Sequence, residues 1–242
     1  MKKIWNIVSW VGGFGLLLFL LAFGQSQKEQ LVINQYKVEF QESNSHFFVT
    51  QTEVEEMVRE LYPLIDSISS QEINISVLEE SLDNHPSIIK AEVYSALDGL
   101  LRIRVEQKKP CIRVRNSLSD YYIAEQGDSM ALSSNFSATV PLITGNVSAK
   151  NRNQIFLFFQ KIEKDAFYGN FISGLHVNND DTWVLYPTQG RHKILLGSPE
   201  RIDEKLKNLN AFYNQVVSKQ NLDSIASLNL KFEGQVICKK YE

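Results

Sequence analysis

Twenty residues from Ile4 to Phe23 (IWNIVSWVGGFGLLLFLLAF) include only two polar members, Asn6 and Ser9, and no charge occurs between Lys3 and Lys28. At about 1.5 Å per helical residue such a run spans roughly 30 Å, the thickness of a bilayer's hydrocarbon core. Trp5 and Trp10 lie toward its start, where indole rings favour the membrane interface. Lys2 and Lys3 precede it with no acid to offset them, so the positive-inside rule puts the N-terminus in the cytoplasm and everything from about Gln25 onward outside. A cleaved secretory signal is the rival reading, because Ala22-Phe23-Gly24 offers small residues at a peptidase-like spacing. The run exceeds the roughly 7–15 residues usual for a signal core, which favours an uncleaved anchor. A buried soluble helix fails because the run is apolar on all faces. Both surviving readings export the remainder.

That remainder, about 215 residues, suits one large or two ordinary domains. All 28 Asp and Glu lie in it, while two of the 25 Lys and Arg are Lys2 and Lys3, so the exported part is five acids in excess. This balance argues against a nucleic-acid surface. Cys111 and Cys238 are too few for a disulfide framework; they either pair in an oxidising compartment or stay apart as two small hydrophobes. The sequons at Asn74, Asn135 and Asn146 read as chance in an Asn- and Ser-rich chain.

Periodicity places the elements. Gln25 to Gln30 is a polar linker, and Leu31 to Phe40 alternates as a strand with Val32, Tyr36, Val38 and Phe40 on one face. Thr50 and Glu53 form a capping box ahead of a helical stripe of Val54, Met57, Val58 and Leu61. Asn74 caps a second helix to Asn84, with Leu78 and Leu82 a turn apart, and His85-Pro86 ends it. Ile89, Ala91 and Val93 alternate along a strand, Asp98-Gly99 is a hairpin turn, and Leu101, Ile103 and Val105 alternate along the next strand. From Cys111 the character is β-rich, with strands at Ile112 to Arg115, Tyr121 to Ile123, Val140 to Ile143, Ile172, Trp183 to Tyr186 and Lys193 to Leu196. Two helices interrupt it. One runs from Asn151 to Lys164 on a stripe of Ile155, Phe158, Phe159 and Ile162; the other starts at Ser198-Pro199 and continues through Ile202, Leu206, Leu209, Tyr213 and Val216. Ile225 to Cys238 reads as one last strand interrupted at Gly234 by a bulge or a close backbone approach.

The elements imply an α+β chain: a transmembrane helix, a small β-α-α-β-β domain, then a mixed β-rich domain with flanking helices. The expected boundaries are a cytoplasmic end at 1–3, the membrane helix at 4–24, a linker at 25–31, the first domain at 32–109 and the second at 110–242. Catalytic patterns are missing. The histidines at 46, 85, 176 and 192 lack ligand spacing to another His, Cys or acid and read as surface or turn residues. There is no nucleophile elbow, phosphate-cradling glycine loop or serine–lysine signature. Asp180-Asp181 reads as a solvated turn, and the Tyr121-Tyr122 and Phe156–Phe159 aromatics as core. The chain is accordingly expected to be no enzyme and to carry no cofactor or metal.

The short N-terminus, single span and strand-helix-helix-strand-strand module together resemble the FtsQ/DivIB family of bacterial cell-division proteins. Val49 to Val114 is similar to that family's POTRA domain, notably at Asn84-His85-Pro86, Leu101 to Glu106 and Pro110. Tyr122 to Gly127, Val140 to Gly145, Ile194 to Gly197 leading into Lys205-Leu206, and Leu228 to Val236 resemble segments of its second, β-rich domain. The resemblance implies a single-pass scaffold in the cytoplasmic (inner) membrane at the division septum, with its C-terminal domains in the periplasm or extracytoplasmic space. Implied partners are membrane-anchored coiled-coil proteins like FtsB/DivIC and FtsL, with the septal peptidoglycan synthase as a further one. They bind by β-strand addition at the last strand, which would here place the contact on Ile225, Leu228, Leu230, Lys231, Phe232, Gly234 and Val236. Asn229-Leu230-Lys231-Phe232 departs from the family's Asp-Leu-Arg-aromatic pattern. Asp180, Asp181 and Thr182 stand where some members carry a basic residue that pairs with a partner acid. A POTRA-type chaperone or translocation factor and a secreted cell-wall enzyme are the alternatives.

Overall fold

The computed structural model describes residues 12–16, 19, 35–41, 48–69, 72–95, 100–216 and 222–241. The chain divides into two compact units, Met1–Gln107 and Lys108–Glu242. The expected membrane helix at 4–24 lies largely outside the described residues, of which 12–16 are helical. Among the described residues no helix is long and apolar enough to cross a membrane. The linker at 25–31, the Asp98-Gly99 turn and His46 also lie outside them.

In the N-terminal unit, β1 (Gln35–Phe40), α1 (Gln51–Leu61), α2 (Ile75–Asp83), β2 (Ile88–Ser95) and β3 (Leu100–Gln107) follow in order. The sheet order is β1-β3-β2, with β1 parallel and β2 antiparallel to β3. Thr50 caps α1 through the reciprocal box with Glu53, whose carboxylate accepts from the Thr50 N–H at 2.8 Å. Val54 and Val58 of α1 and Leu78 and Leu82 of α2 are fully buried against Ala91, Val93, Leu101, Ile103 and Val105. Each such side chain contributes roughly 1.5–3 kcal/mol by leaving water. The inward residue at the start of β2 is Ile88 rather than Ile89. The register shifts between Ile88 and Lys90, and this bulge turns both Ile88 and Ala91 toward the core.

The C-terminal unit contains β4 (Pro110–Arg115), β5 (Asp120–Ala124), β6 (Ser129–Met130), β7 (Leu142–Gly145), α3 (Ala149–Glu163), β8 (Ile172–Val177), β9 (Trp183–Pro187), β10 (Lys193–Gly197), α4 (Ile202–Val216), β11 (Ile225–Asn229) and β12 (Ile237–Lys240). They form one nine-stranded mixed sheet of order β12-β11-β10-β9-β8-β7-β4-β5-β6. Parallel neighbours need a long crossover. Accordingly α3 links parallel β7 and β8, and α4 links parallel β10 and β11. Both helices lay their stripes on the same core as Ile143, Leu175, Leu185, Ile194 and Leu228. Phe158 of α3 meets Trp183 edge-on at 5.4 Å, and Tyr168 donates to the Leu206 carbonyl of α4 at 2.6 Å.

Two expectations fail here. α4 begins at Ile202, not at Ser198-Pro199, because Arg201 takes a left-handed φ of 53° that breaks the helical path. The Lys205 ammonium instead donates to the Ser198 carbonyl at 2.7 Å and fixes that turn. The surface placement of His192 also fails: the residue lies in the turn after β9, the other placement expected of it, but it is 1% exposed and hydrogen-bonded to Tyr213.

Candidate functional site

The resemblance to the FtsQ/DivIB family implies partner contact at the last strand, which is here a hairpin of β11 and β12. Ile225–Asn229 is not the edge of the sheet. β11 pairs parallel with β10 (Lys193↔Ser227, Ile194↔Leu228, Leu195↔Asn229) and antiparallel with β12 (Leu228↔Cys238, Asn229↔Ile237). Its backbone is therefore used on both sides, and the Leu230 N–H just beyond it also bonds the Leu195 carbonyl at 2.9 Å. The physical reason lies between Leu230 and Val236. Gly234 at φ 66° lets the chain reverse, with no atom within 4 Å of a Cβ placed there, so one expected strand becomes two. At this end of the sheet the outermost strand among the described residues is β12.

The seven expected contact residues divide accordingly. Ile225, Leu228 and Leu230 are core side chains with essentially no exposure. Val236 packs against that core from its margin. Lys231, Phe232 and Gly234 form the reversal, where Phe232 is 54% exposed. The Lys231 N–H donates to Asn229 Oδ1 at 3.0 Å, and the Lys231 stem lies over Gly197, where a Cβ would stand 2.8 Å from Lys231 Cγ. Glu233 at the tip pairs with Arg201 at 3.1 Å, a surface contact of small energetic weight. At this end of the sheet the open side belongs, among the described residues, to Ile237–Lys240. The signal for it was present: a polar Glu-Gly-Gln between two apolar runs reads as a turn.

All four β12 side chains are exposed, and Tyr241 follows at 55% exposure. Among the described residues no side chain bonds a β12 backbone N–H. Pairing sets the faces. Lys239, Ser227 and Lys193 lie side by side on one face, as do Ile237, Asn229, Leu195 and Val184. Among the described residues the rim thus offers a backbone edge with no strand beside it, a cationic pair and a row that is apolar save for Asn229. Asp180 at the β8–β9 turn accepts from the hydroxyl and N–H of Thr182, which holds its carboxyl below the usual range.

Other features carry structure rather than chemistry. A surface cavity of about 430 Å³ is lined by Cys111, Glu125, Phe156, Gln160, Glu163 and Lys164. Burial pushes the Cys111 thiol up to about 11, away from nucleophilic character. Cys111 and Cys238 are both free. Among the described residues no group of three or more His, Cys, Asp or Glu is placed to hold a metal ion.

The family profile described as FtsQ/DivIB, C-terminal related, matches residues 109–239, and the profile of a POTRA-like domain matches residues 32–106. No curated protein matches the chain. Domains of the FtsQ/DivIB type imply a scaffold role in cell division. The first profile covers more than half of the sequence and most of β12, and the second covers the β-α-α-β-β unit ahead of it; the chain belongs to the FtsQ/DivIB family.

Proposed function

We propose that the chain is a membrane-anchored, non-enzymatic scaffold of the division septum that captures partners by strand addition at β12. The observation that carries this reading is the open side of Ile237–Lys240, a strand with exposed side chains and, among the described residues, no strand beside it and no side-chain cap on its amides. Its partners are FtsB/DivIC-like and FtsL-like coiled-coil proteins of the same membrane, and through them it helps to regulate septal peptidoglycan synthesis. Each added backbone bond nets only about 1 kcal/mol, so flanking side chains decide the partner. Lys193, Lys239 and Lys240 favour an acidic strand, and Ile237 with Phe232 supplies apolar contact. Anchoring by residues 4–24 confines scaffold and partners to one surface and raises their effective concentration, so modest contacts suffice.

Capture of the purified coiled-coil partners by the full chain in detergent tests this. Ile237→Asp and the pair Lys239→Glu/Lys240→Glu should each reduce capture at least tenfold with melting temperature unchanged, because β12 contributes no buried side chain. Undiminished capture by both variants would refute the assignment. In cells, depletion should give filaments with unfinished septa.

A further inference from the structure

The N-terminal unit has an outer strand of its own, β2, and two of its amides are occupied by side chains. The Ala91 N–H donates to Asp83 Oδ1 at 2.6 Å, and the Val93 N–H donates to Glu79 Oε1 at 2.8 Å. Both carboxylates come from α2 and both amides from β2, which is last in the order β1-β3-β2. The geometry matches from first principles. Four residues of helix advance about 6 Å and two residues of strand about 6.6 Å, so an i, i+4 pair of acids can meet alternate amides of a strand running the other way. Glu79 and Asp83 sit one position round from Leu78 and Leu82, whose burial docks the helix beside the strand. At the start of the same strand, the bulge between Ile88 and Lys90 breaks the regular spacing that an incoming strand would need.

An exposed outer strand is normally a template for another chain. We propose that Glu79 and Asp83 close the β2 edge to strand addition, so that no partner strand pairs there unless both carboxylates are displaced. Bonds to an ionised acceptor are roughly twice as strong as neutral ones, so a competing carbonyl does not readily replace them. The arrangement also turns helix position into a control: moving α2 away from the sheet frees both amides together. This inference rests on the N-terminal unit alone and does not depend on what binds β12.

The test uses the full chain in detergent, with the double variants Glu79→Ala/Asp83→Ala and Glu79→Gln/Asp83→Asn. The readouts are amide hydrogen exchange and binding of a synthetic peptide copying β3, Leu-Leu-Arg-Ile-Arg-Val-Glu-Gln. In the alanine pair, the Ala91 and Val93 amides should exchange at least tenfold faster than in the parent, and added peptide should restore their protection. The parent should show no change at these amides with peptide. Parent-like exchange at Ala91 and Val93 in the alanine pair, or peptide bound along β2 of the parent, overturns the proposal. Should the alanine pair lose protection throughout β3, and so its fold, the amide-bearing pair decides. Severalfold faster exchange at the same two positions supports the closure, and parent-like exchange overturns it.

Discussion

His192 Nε2 and Tyr213 Oη are hydrogen-bonded to one another inside the C-terminal unit, joining the turn after β9 to α4. His192 Nδ1 is buried with no partner, and burial holds the ring's pKa below its ordinary value of 6.5. Aromatic rings pack on the tyrosine of the pair: Phe171 meets Tyr213 edge-on at 4.8 Å, Phe167 lies tilted beside it at 5.9 Å, and the two phenylalanines stack on each other. The Tyr241 hydroxyl reaches the Arg191 carbonyl at 3.4 Å, so the residue after β12 is tied to the same turn.

A base with a depressed folded-state pKa takes its proton more readily when unfolded, so its contribution to stability is complete above the unfolded value and falls as pH drops below it. The melting temperature should therefore decline as pH is lowered from about 7 toward 5. His85, also held low by burial, contributes with the same sign. His192→Gln should flatten the pH dependence without abolishing it, as measured by calorimetry. An unchanged slope would remove His192 from the account.

Leu228 and Phe232 lie four residues apart and should behave in opposite ways. Leu228 is fully buried, so Leu228→Ala should cost about 2–5 kcal/mol through lost transfer energy and a residual cavity. Phe232 sits on the exposed reversal, and Phe232→Ala should stay within about 0.5 kcal/mol. Urea titrations of both variants check the contrast.

Gly145 ends β7 at φ 88°, and a Cβ there would lie 2.1 Å from the Val177 carbonyl oxygen. Gly145→Ala combines left-handed strain with a clash against backbone, and should destabilise the unit by about 3 kcal/mol or prevent folding. Soluble yield and melting temperature report it.

The two thiols should separate chemically. Cys238 is exposed, while Cys111 is half-buried, donates to the Ile123 carbonyl at 3.2 Å and has its pKa pushed to about 11. At pH 8 only about one Cys111 in a thousand is thiolate. Native protein should take up one equivalent of a thiol reagent rapidly, and denatured protein two.

Much of this architecture was legible in the sequence because local rules decided it. Thr50 with Glu53, Asn74 before Ile75, and the alternation of Leu101, Ile103 and Val105 each fix an element from within a few residues. What was not legible depended on pairing across distance. Whether Leu228 faces a partner or Ile194 is set by the crossover of α4, which spacing along the chain does not encode. The same holds for Ile88, placed by a bulge against β3, and for His192, buried by α4. Gly234 stands out in the sequence, but a glycine inside an alternating run is equally compatible with a bulge and a reversal. Only the pairing of Asn229 with Ile237 separates the two. The amide caps of β2 likewise emerge only when α2 and the strand are side by side.

The four positions of β12 contribute nothing to the interior, since the strand is held by its ladder to β11 and by the bond from the Tyr241 N–H to the Ser224 carbonyl. Evolution can therefore rewrite its chemistry freely, one residue after another, without eroding the body that carries it. Lineages that diverge in what they recognise at this rim would be expected to keep Leu228, Ile194 and Leu185 while Ile237, Cys238, Lys239 and Lys240 drift.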